Sequence, residues 1–346
     1  MFIFEQAVHR QCTYYLQRIP NQIEYRCGEP SRAHFENDVI FNIGCLGCIN
    51  PRCMYFDSSE IVCNQLADFA YDHSTQTCPI CAIKWDANNE VPVINNEKCI
   101  KCGICINRCP VGAIYFDRTI KVHTVHSAIE TMVVPSAENI SIQEEQIALC
   151  KAVERSNSTI IESNDLFHSI YNKLSLQNGR FIRIFIRNLL ISLGCNSTIP
   201  RIGDVYTRMD VVYSLENDIG VAEVEFGTDS LSTSRRLLDD IAVLHSRYGV
   251  NRNIIHPLAI YLNLPTRRQD YWQVVKDIMR VENILINTIS VGSLLILNWN
   301  RKKLLVSDNG YYLDYDNTNL RNLLSEQIDR EIQIDNGYLG ILEPER

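Results

Sequence analysis

No stretch of this 346-residue chain is long and apolar enough to cross a bilayer, because the most apolar one, Ile284 to Trp299, is broken by Asn287, Thr288, Ser290 and Ser293. The opening Met1-Phe2-Ile3-Phe4 meets Glu5 after too short an apolar run for a signal peptide. We therefore expect no membrane contact and a cytoplasmic, reducing location. Positive charge is also short: 33 Lys and Arg against 41 Asp and Glu leave a net −8, so bulk attraction to nucleic acid is excluded. Any phosphate contact must come from a local patch. G-x4-G-K-[ST], G-x-G-x2-G, H-E-x2-H and G-x-S-x-G are all missing, which removes the residues that ATP, dinucleotide, zinc-peptidase and serine-hydrolase chemistry would need. The C-x3-C-x2-C spacing of radical-forming clusters is absent too.

What the chain has is cysteine: fourteen in all, ten of them between Cys45 and Cys109. That crowding points to a local metal function rather than a disulfide network. Hydrophobic residues make up 46% and charged residues 21%, as in ordinary globular proteins, and the length suggests about two domains.

Cys99, Cys102, Cys105 and Cys109, followed by Pro110, stand in the order C-x2-C-x2-C-x3-C-P. Three thiolates so spaced can reach three corners of one cubane, while the fourth, held by the following Pro, points away from it. Upstream, Cys78-Pro79-Ile80-Cys81-Ala82-Ile83 repeats Cys109-Pro110-Val111-Gly112-Ala113-Ile114 in its Cys-Pro pair and its Ala-Ile. Residues 44–118 resemble a bacterial-type ferredoxin with two 4Fe-4S clusters. The resemblance implies one cluster on Cys45, Cys48, Cys53 and Cys109, and a second on Cys78, Cys99, Cys102 and Cys105. Lys98, Lys101 and Arg108 would offset the charge of the clusters.

The upstream half departs from the family pattern, with four residues between Cys48 and Cys53 and twenty-four between Cys53 and Cys78. Ser58-Ser59-Glu60 ahead of Ile61, Val62, Leu66, Phe69 and Ala70 predicts a capped amphipathic helix in this insertion. A rival arrangement sets zinc on Cys45, Cys48, Cys78 and Cys81 beside a single cluster. Cys12, Cys27, Cys63, Cys150 and Cys195 read as small buried hydrophobes.

The cysteine-rich part is expected over 1–135, with an N-terminal extension, and a second domain over 136–346. A helix over Arg180–Leu193, stopped by Gly194, sets Arg180, Arg183 and Arg187 on one face, and between Lys173 and Arg208 six bases meet one acid, Asp204. Strands over Val205–Tyr213 and Gly220–Phe226, turning at Glu216-Asn217, place Asp210 across from Glu223, with Glu225 on the same side. A helix capped by Ser232-Thr233-Ser234 and ended by Gly249 carries Leu237, Leu238, Ile241, Ala242 and His245 as its apolar stripe. A strand over Pro257–Leu264 implies a parallel crossover. Leu304–Leu313 reads as a second hairpin turning at Asn309-Gly310, a helix follows near 318–330, and His245 and His256 read as packing or surface residues.

An acid-bearing hairpin, a helix and then a strand is the order of the PD-(D/E)xK nuclease core, and residues 181–264 look like that family. The fold expected for the whole chain is therefore α+β or α/β: a ferredoxin-like domain, then a restriction-endonuclease-like mixed sheet flanked by helices. The resemblance implies catalytic Asp210, Glu223 and Glu225, with Mg2+ on Asp210 and Glu223. Glu225 stands where the family usually has Lys, and Arg235 or Arg236 could supply the missing charge. Arg180, Arg183, Arg187, Arg235 and Arg236 would contact double-stranded DNA. A homodimer would suit cleavage of both strands. The rival function is electron transfer or redox sensing with a redox partner, the second domain being an inactive DNA-binding or docking module.

Overall fold

In the computed structural model the described residues are 51–66, 68–89, 91–109, 113–116, 119–124, 160–204, 208–227, 229–307, 311–314 and 319–345, with the backbone of short strands at 2–3, 15–16, 24–25, 31–35, 38–42 and 131–135. Two compact units emerge: Met1–Asp57 with Thr75–Ile160, and Ser58–Ser74 with Ile161–Arg346. Cys45, Cys48 and Pro110 lie outside the described residues, as does the 136–159 stretch that follows the expected domain boundary.

In the first unit, β1 (Phe2–Ile3) pairs with β2 (Tyr15–Leu16), and β3 (Glu24–Tyr25), β4 (Ser31–Phe35), β5 (Asp38–Asn42) and β10 (Thr131–Pro135) form an antiparallel sheet in the order β10-β5-β4-β3. The cysteine-rich part is built from two hairpins, β6 (Ile83–Asp86) with β7 (Val91–Ile94) and β8 (Ile114–Phe116) with β9 (Val122–Thr124), on either side of the short helix α1 (Ile104–Arg108). Each hairpin follows one Cys-Pro repeat. Ala82, Ile83, Val91, Ile100, Ile104, Ile106, Ala113, Ile114 and Val122 close a small apolar core.

The second unit holds a five-stranded sheet in the order β11 (Asn196–Thr198), β12 (Val211–Leu215), β13 (Asp218–Glu225), β14 (Ile255–Tyr261) and β15 (Asn287–Ser290). Pairing is antiparallel through β13 and parallel from β13 to β15. Helices α2 (Asn164–Leu174) and α3 (Gly179–Ser192) precede the sheet, α4 (Ser230–Tyr248) and α5 (Tyr271–Glu282) connect its parallel strands, and α6 (Val291–Trp299) and α7 (Arg321–Ile328) follow it. Val211, Val212, Ile219, Val221, Ala222, Leu258, Ala259, Ile260 and Ile289 are fully buried, so the middle strands are apolar on both faces, as parallel pairing under helices demands. Every residue of α6 is buried, as expected of a helix that is apolar on all sides.

The β12–β13 turn is the two-residue one read from the sequence: Leu215 pairs with Asp218, and Glu216 takes the left-handed φ of +55° that such a turn requires. The register puts Tyr213 against Gly220, where any Cβ would stand 2.1 Å from the Tyr213 ring, so only glycine fits.

Three expectations are corrected. The 58–74 insertion forms turns and extended chain rather than a helix, because its apolar residues Ile61, Cys63, Leu66 and Phe69 are buried within the second unit and follow that surface instead of a 3.6-residue period. The α4 cap is Asp229, which accepts from Ser232 N–H, and Ser230, Thr233 and Ser234 lie buried inside the helix. The stripe of α4 is also rotated: Leu237, Asp240, Ile241 and Leu244 face inward, while Ala242 and His245 are exposed. Of the hairpin expected over 304–313, the turn at Asn309-Gly310 lies outside the described residues, and Leu313 forms a bridge with Thr288.

Candidate functional site

Cys78, Cys99, Cys102 and Cys105 line one cavity whose other walls are Thr77, Gly103 and apolar side chains including Ile80, Ile83, Ile94, Ile100, Ile104 and Val122. The chain wraps tightly around it by taking left-handed φ at Lys101 and at Gly103, the N-cap of α1. Backbone amides point at sulfur: Lys101 N–H donates to Cys99 Sγ at 3.3 Å and Ala82 N–H to Cys78 Sγ at 3.2 Å. Ala113 N–H donates to Cys109 Sγ at 3.2 Å, so the internal repeat is reproduced in hydrogen bonding as well as in sequence.

Burial, then the neighbouring Cys99 and Cys78 sulfurs, raise the Cys102 thiol well above its ordinary pKa. Burial chiefly does the same to Cys105, which also feels Cys53. Thiolates held this close need positive charge among them. A 4Fe-4S core supplies it, and the donor set of four thiols on an apolar cavity fits one. Cys53 is buried; Cys81 is exposed and is not among the cavity walls, which favours Cys78 over Cys81 as a ligand. Arg108 is occupied elsewhere, its Nε donating to Arg52 O at 3.0 Å and its guanidinium stacking 4.1 Å over the Phe56 ring.

The second constellation lies where α3 and α4 approach the β12–β13 hairpin. Asp210 Oδ2 accepts from Val224 N–H at 3.0 Å, and Glu223 Oε1 accepts from Asp210 N–H at 3.3 Å. Glu225 turns aside, its Oε1 accepting from Gly227 N–H at 2.6 Å. Arg183 Nε stands 3.0 Å from Asp210 Oδ1, and Arg236 reaches Glu223 Oε2 at 2.7 Å and Glu225 Oε2 at 3.3 Å. Arg236 thus brings positive charge beside Glu225, while Arg235 is exposed.

A fourth carboxyl, missed in the sequence, is Asp240, buried on α4 and hydrogen-bonded to Glu223, with Oδ2 lacking a hydrogen-bond partner among the described residues. Burial raises Asp210 and pushes Glu223 up to about 9, Asp210 and Asp240 adding to the latter. Asp240 is pushed up to about 7, also chiefly by burial. Desolvation opposes the Arg236 charge, but Glu223, Asp210 and Glu225 outweigh it and hold the guanidinium protonated.

The expected row of phosphate-facing arginines is corrected. Arg187 is fully buried, its guanidinium donating to Asn188 Oδ1 at 2.9 and 3.1 Å and to Ser74 Oγ at 3.3 Å. Asp72 lies 4.0 Å from it and accepts from Arg180 at 3.2 Å. The insertion covers that part of α3, so only Arg180 and Arg183 stay half-exposed there.

Among the described residues no three His, Cys, Asp or Glu side chains are arranged to hold a single metal ion. A cubane makes a different demand, since each thiolate binds its own iron at a separate corner. At the carboxylates the donors are hard oxygens of the class divalent cations prefer, but guanidinium groups stand among them.

Residues 92–115 match the 4Fe-4S binding domain family. An uncharacterized ferredoxin of Methanocaldococcus jannaschii is 30% identical over 84 residues, which cover 22% of this chain and 52% of that protein. The match thus spans about half of the relative. No solved structure gives a significant match. No helix among the described residues is long and apolar enough to cross a membrane. The protein carries a 4Fe-4S domain of ferredoxin type within a mixed α/β chain.

Proposed function

We propose that the chain is a divalent-metal-dependent endodeoxyribonuclease carrying two 4Fe-4S clusters. The observation behind this reading is the pairing of Asp210 with Glu223 across the β12–β13 hairpin, inside the element order α3-β11-β12-β13-α4-β14. That order, one helix, three antiparallel strands, a crossover helix and a parallel strand, agrees with a PD-(D/E)xK core. Carboxyls gathered under helices are costly unless they have positive partners, and here Arg183 and Arg236 hold the place that a divalent cation would take.

Asp210 and Glu223 would hold Mg2+ once Arg183 and Arg236 release them. When bound, the ion polarises the scissile phosphate and lowers the pKa of the attacking water. Arg183 and Arg236, freed, are placed to neutralise phosphate charge, and Glu225, held by Gly227 N–H, is the group left to orient the water. Arg180 and Arg235 would contact flanking phosphates of double-stranded DNA. The test is anaerobic purification, iron analysis, and DNA cleavage with Mg2+ and with EDTA. Iron-loaded protein that cuts no DNA would discard the nuclease.

A second reading, electron transfer, is favoured by the ferredoxin match, which touches the cluster domain alone. It predicts reversible reduction by a redox partner and no loss of that property in Asp210 or Glu223 variants.

A further inference from the structure

The insertion between Cys53 and Cys78 has two parts. Its legs belong to the first unit and pair with each other: Phe56 N–H donates to Thr75 O at 2.7 Å, Thr77 N–H to Met54 O at 2.9 Å, and Tyr55 bridges Gln76. This short ladder begins one residue after Cys53 and ends one residue before Cys78. Its head, residues 58–74, belongs to the second unit. There Ser197 N–H donates to Glu60 O at 3.0 Å, Asp72 N–H to Ile199 O at 2.9 Å and Arg201 N–H to Ala70 O at 2.8 Å, so the head runs along β11 and the segment after it. Cys63 Sγ reaches Val212 O at 3.7 Å on β12, and Asp72 and Ser74 hold Arg180 and Arg187 on α3.

We infer that the insertion is a strap through which cluster assembly secures α3, and with it the contact of Arg183 with Asp210. A ladder of three residue pairs is too small to persist alone. Cys53 and Cys78 flank it, so ligation of the two thiolates ties down its base from both sides. The head in turn fills the position beside Arg187 that makes its burial tolerable, since a buried guanidinium without acceptors is among the costliest features a fold can hold. Without iron the base loosens, the head loses its anchor, and the arginine-bearing face of α3 becomes exposed to water. The strap makes the carboxylate–arginine site complete only in the cluster-loaded chain. This inference rests on Cys53 and Cys78 being cluster ligands, as in the proposed function, but not on DNA cleavage.

The experiment compares amide hydrogen exchange of the full-length, iron-loaded chain with the same chain after anaerobic chelation of its iron. Residues 181–199 should exchange at least tenfold faster without iron, while β14 and β15 keep their protection. Unchanged exchange at 181–199, or equal loss across the whole second unit, would overturn the strap. Asp72→Asn, which touches no thiolate, should retain full iron and still speed exchange at 181–199; slow exchange there would also overturn it. If that variant does not fold, Ser74→Ala, which removes the hydroxyl that accepts from the Arg187 guanidinium at 3.3 Å, takes its place with the same expectation. A chain that binds no iron sinks the clusters and the strap together, whereas an iron-loaded chain that shows the exchange change but cuts no DNA sinks only the nuclease.

Discussion

Arg236 sets its Nε 2.7 Å from Glu223 Oε2 and its other arm 3.3 Å from Glu225 Oε2, one guanidinium spanning two carboxylates of the same strand. Glu223 is itself hydrogen-bonded to the buried Asp240 and to Asp210 N–H. Everything proposed for the second unit turns on how that crowded charge is used.

Glu223→Gln keeps the volume and the strand while removing one charge from the site. Mg2+-dependent cleavage should fall at least roughly a hundredfold, about 2.7 kcal/mol of transition-state stabilisation. Stability without metal should rise above about pH 9, where an ionised Glu223 would repel Asp210 and Asp240, and hold at lower pH, where the carboxyl is already protonated. Steady-state cleavage and urea titration of the same preparation decide it, and undiminished cleavage would remove Glu223 from the catalytic set.

The same carboxyls set a pH dependence. Glu223 at about 9 and Asp240 at about 7 both lie above their values in an unfolded chain, so the folded state holds more protons. Their contribution to stability is whole below about pH 4 and is lost as the pH rises through 7 and 9. Urea midpoints of the wild type should fall between pH 5 and pH 9, and the slope should flatten in Glu223→Gln. A wild-type midpoint rising over that range would show both groups to be ionised at no cost.

Iron analysis separates the cysteines. The wild type should hold about eight iron and eight sulfide, two sets of four thiolates. Cys102→Ser should lose iron and destabilise the cysteine-rich part, whereas Cys81→Ser, at an exposed position outside the cavity walls, should leave the content unchanged. About four iron with stoichiometric zinc that vanishes in Cys81→Ser would instead establish the zinc site.

Arg187→Leu removes one partner of a buried pair and leaves Arg180 as the one remaining guanidinium beside Asp72, which keeps its hydrogen bond from Ser74 N–H, at a cost of about 3–5 kcal/mol. Arg180→Ala, at a half-exposed partner of the same carboxylate, should cost under about 1 kcal/mol. Chemical denaturation of the two iron-loaded variants checks the ranking, and equal costs would show that the burial of Arg187 carries no structural weight.

Local chemistry was legible in the sequence. The spacing of Cys99, Cys102 and Cys105 forces a tight loop on one cavity, the Cys-Pro repeats start matching hairpins, and period-two alternation around Glu216-Asn217 sets a register in which Asp210 and Glu223 meet. Such features depend on neighbours a few residues away, whose geometry the backbone itself dictates. Three others were decided only by the tertiary structure. A helical period announces that α4 has an inner face but not its phase, so Asp240 was hidden among Leu237, Ile241 and Leu244. Arg187 lay in an apparently solvated row until Ser74, 113 positions earlier, covered it. The 58–74 insertion carried helix-like spacing, yet its apolar residues found a better partner in β11 and β12 than in a helix of their own. In each case the deciding contact joins residues distant in sequence, and burial against a preformed surface outweighs the few tenths of a kcal/mol per residue that local propensity contributes.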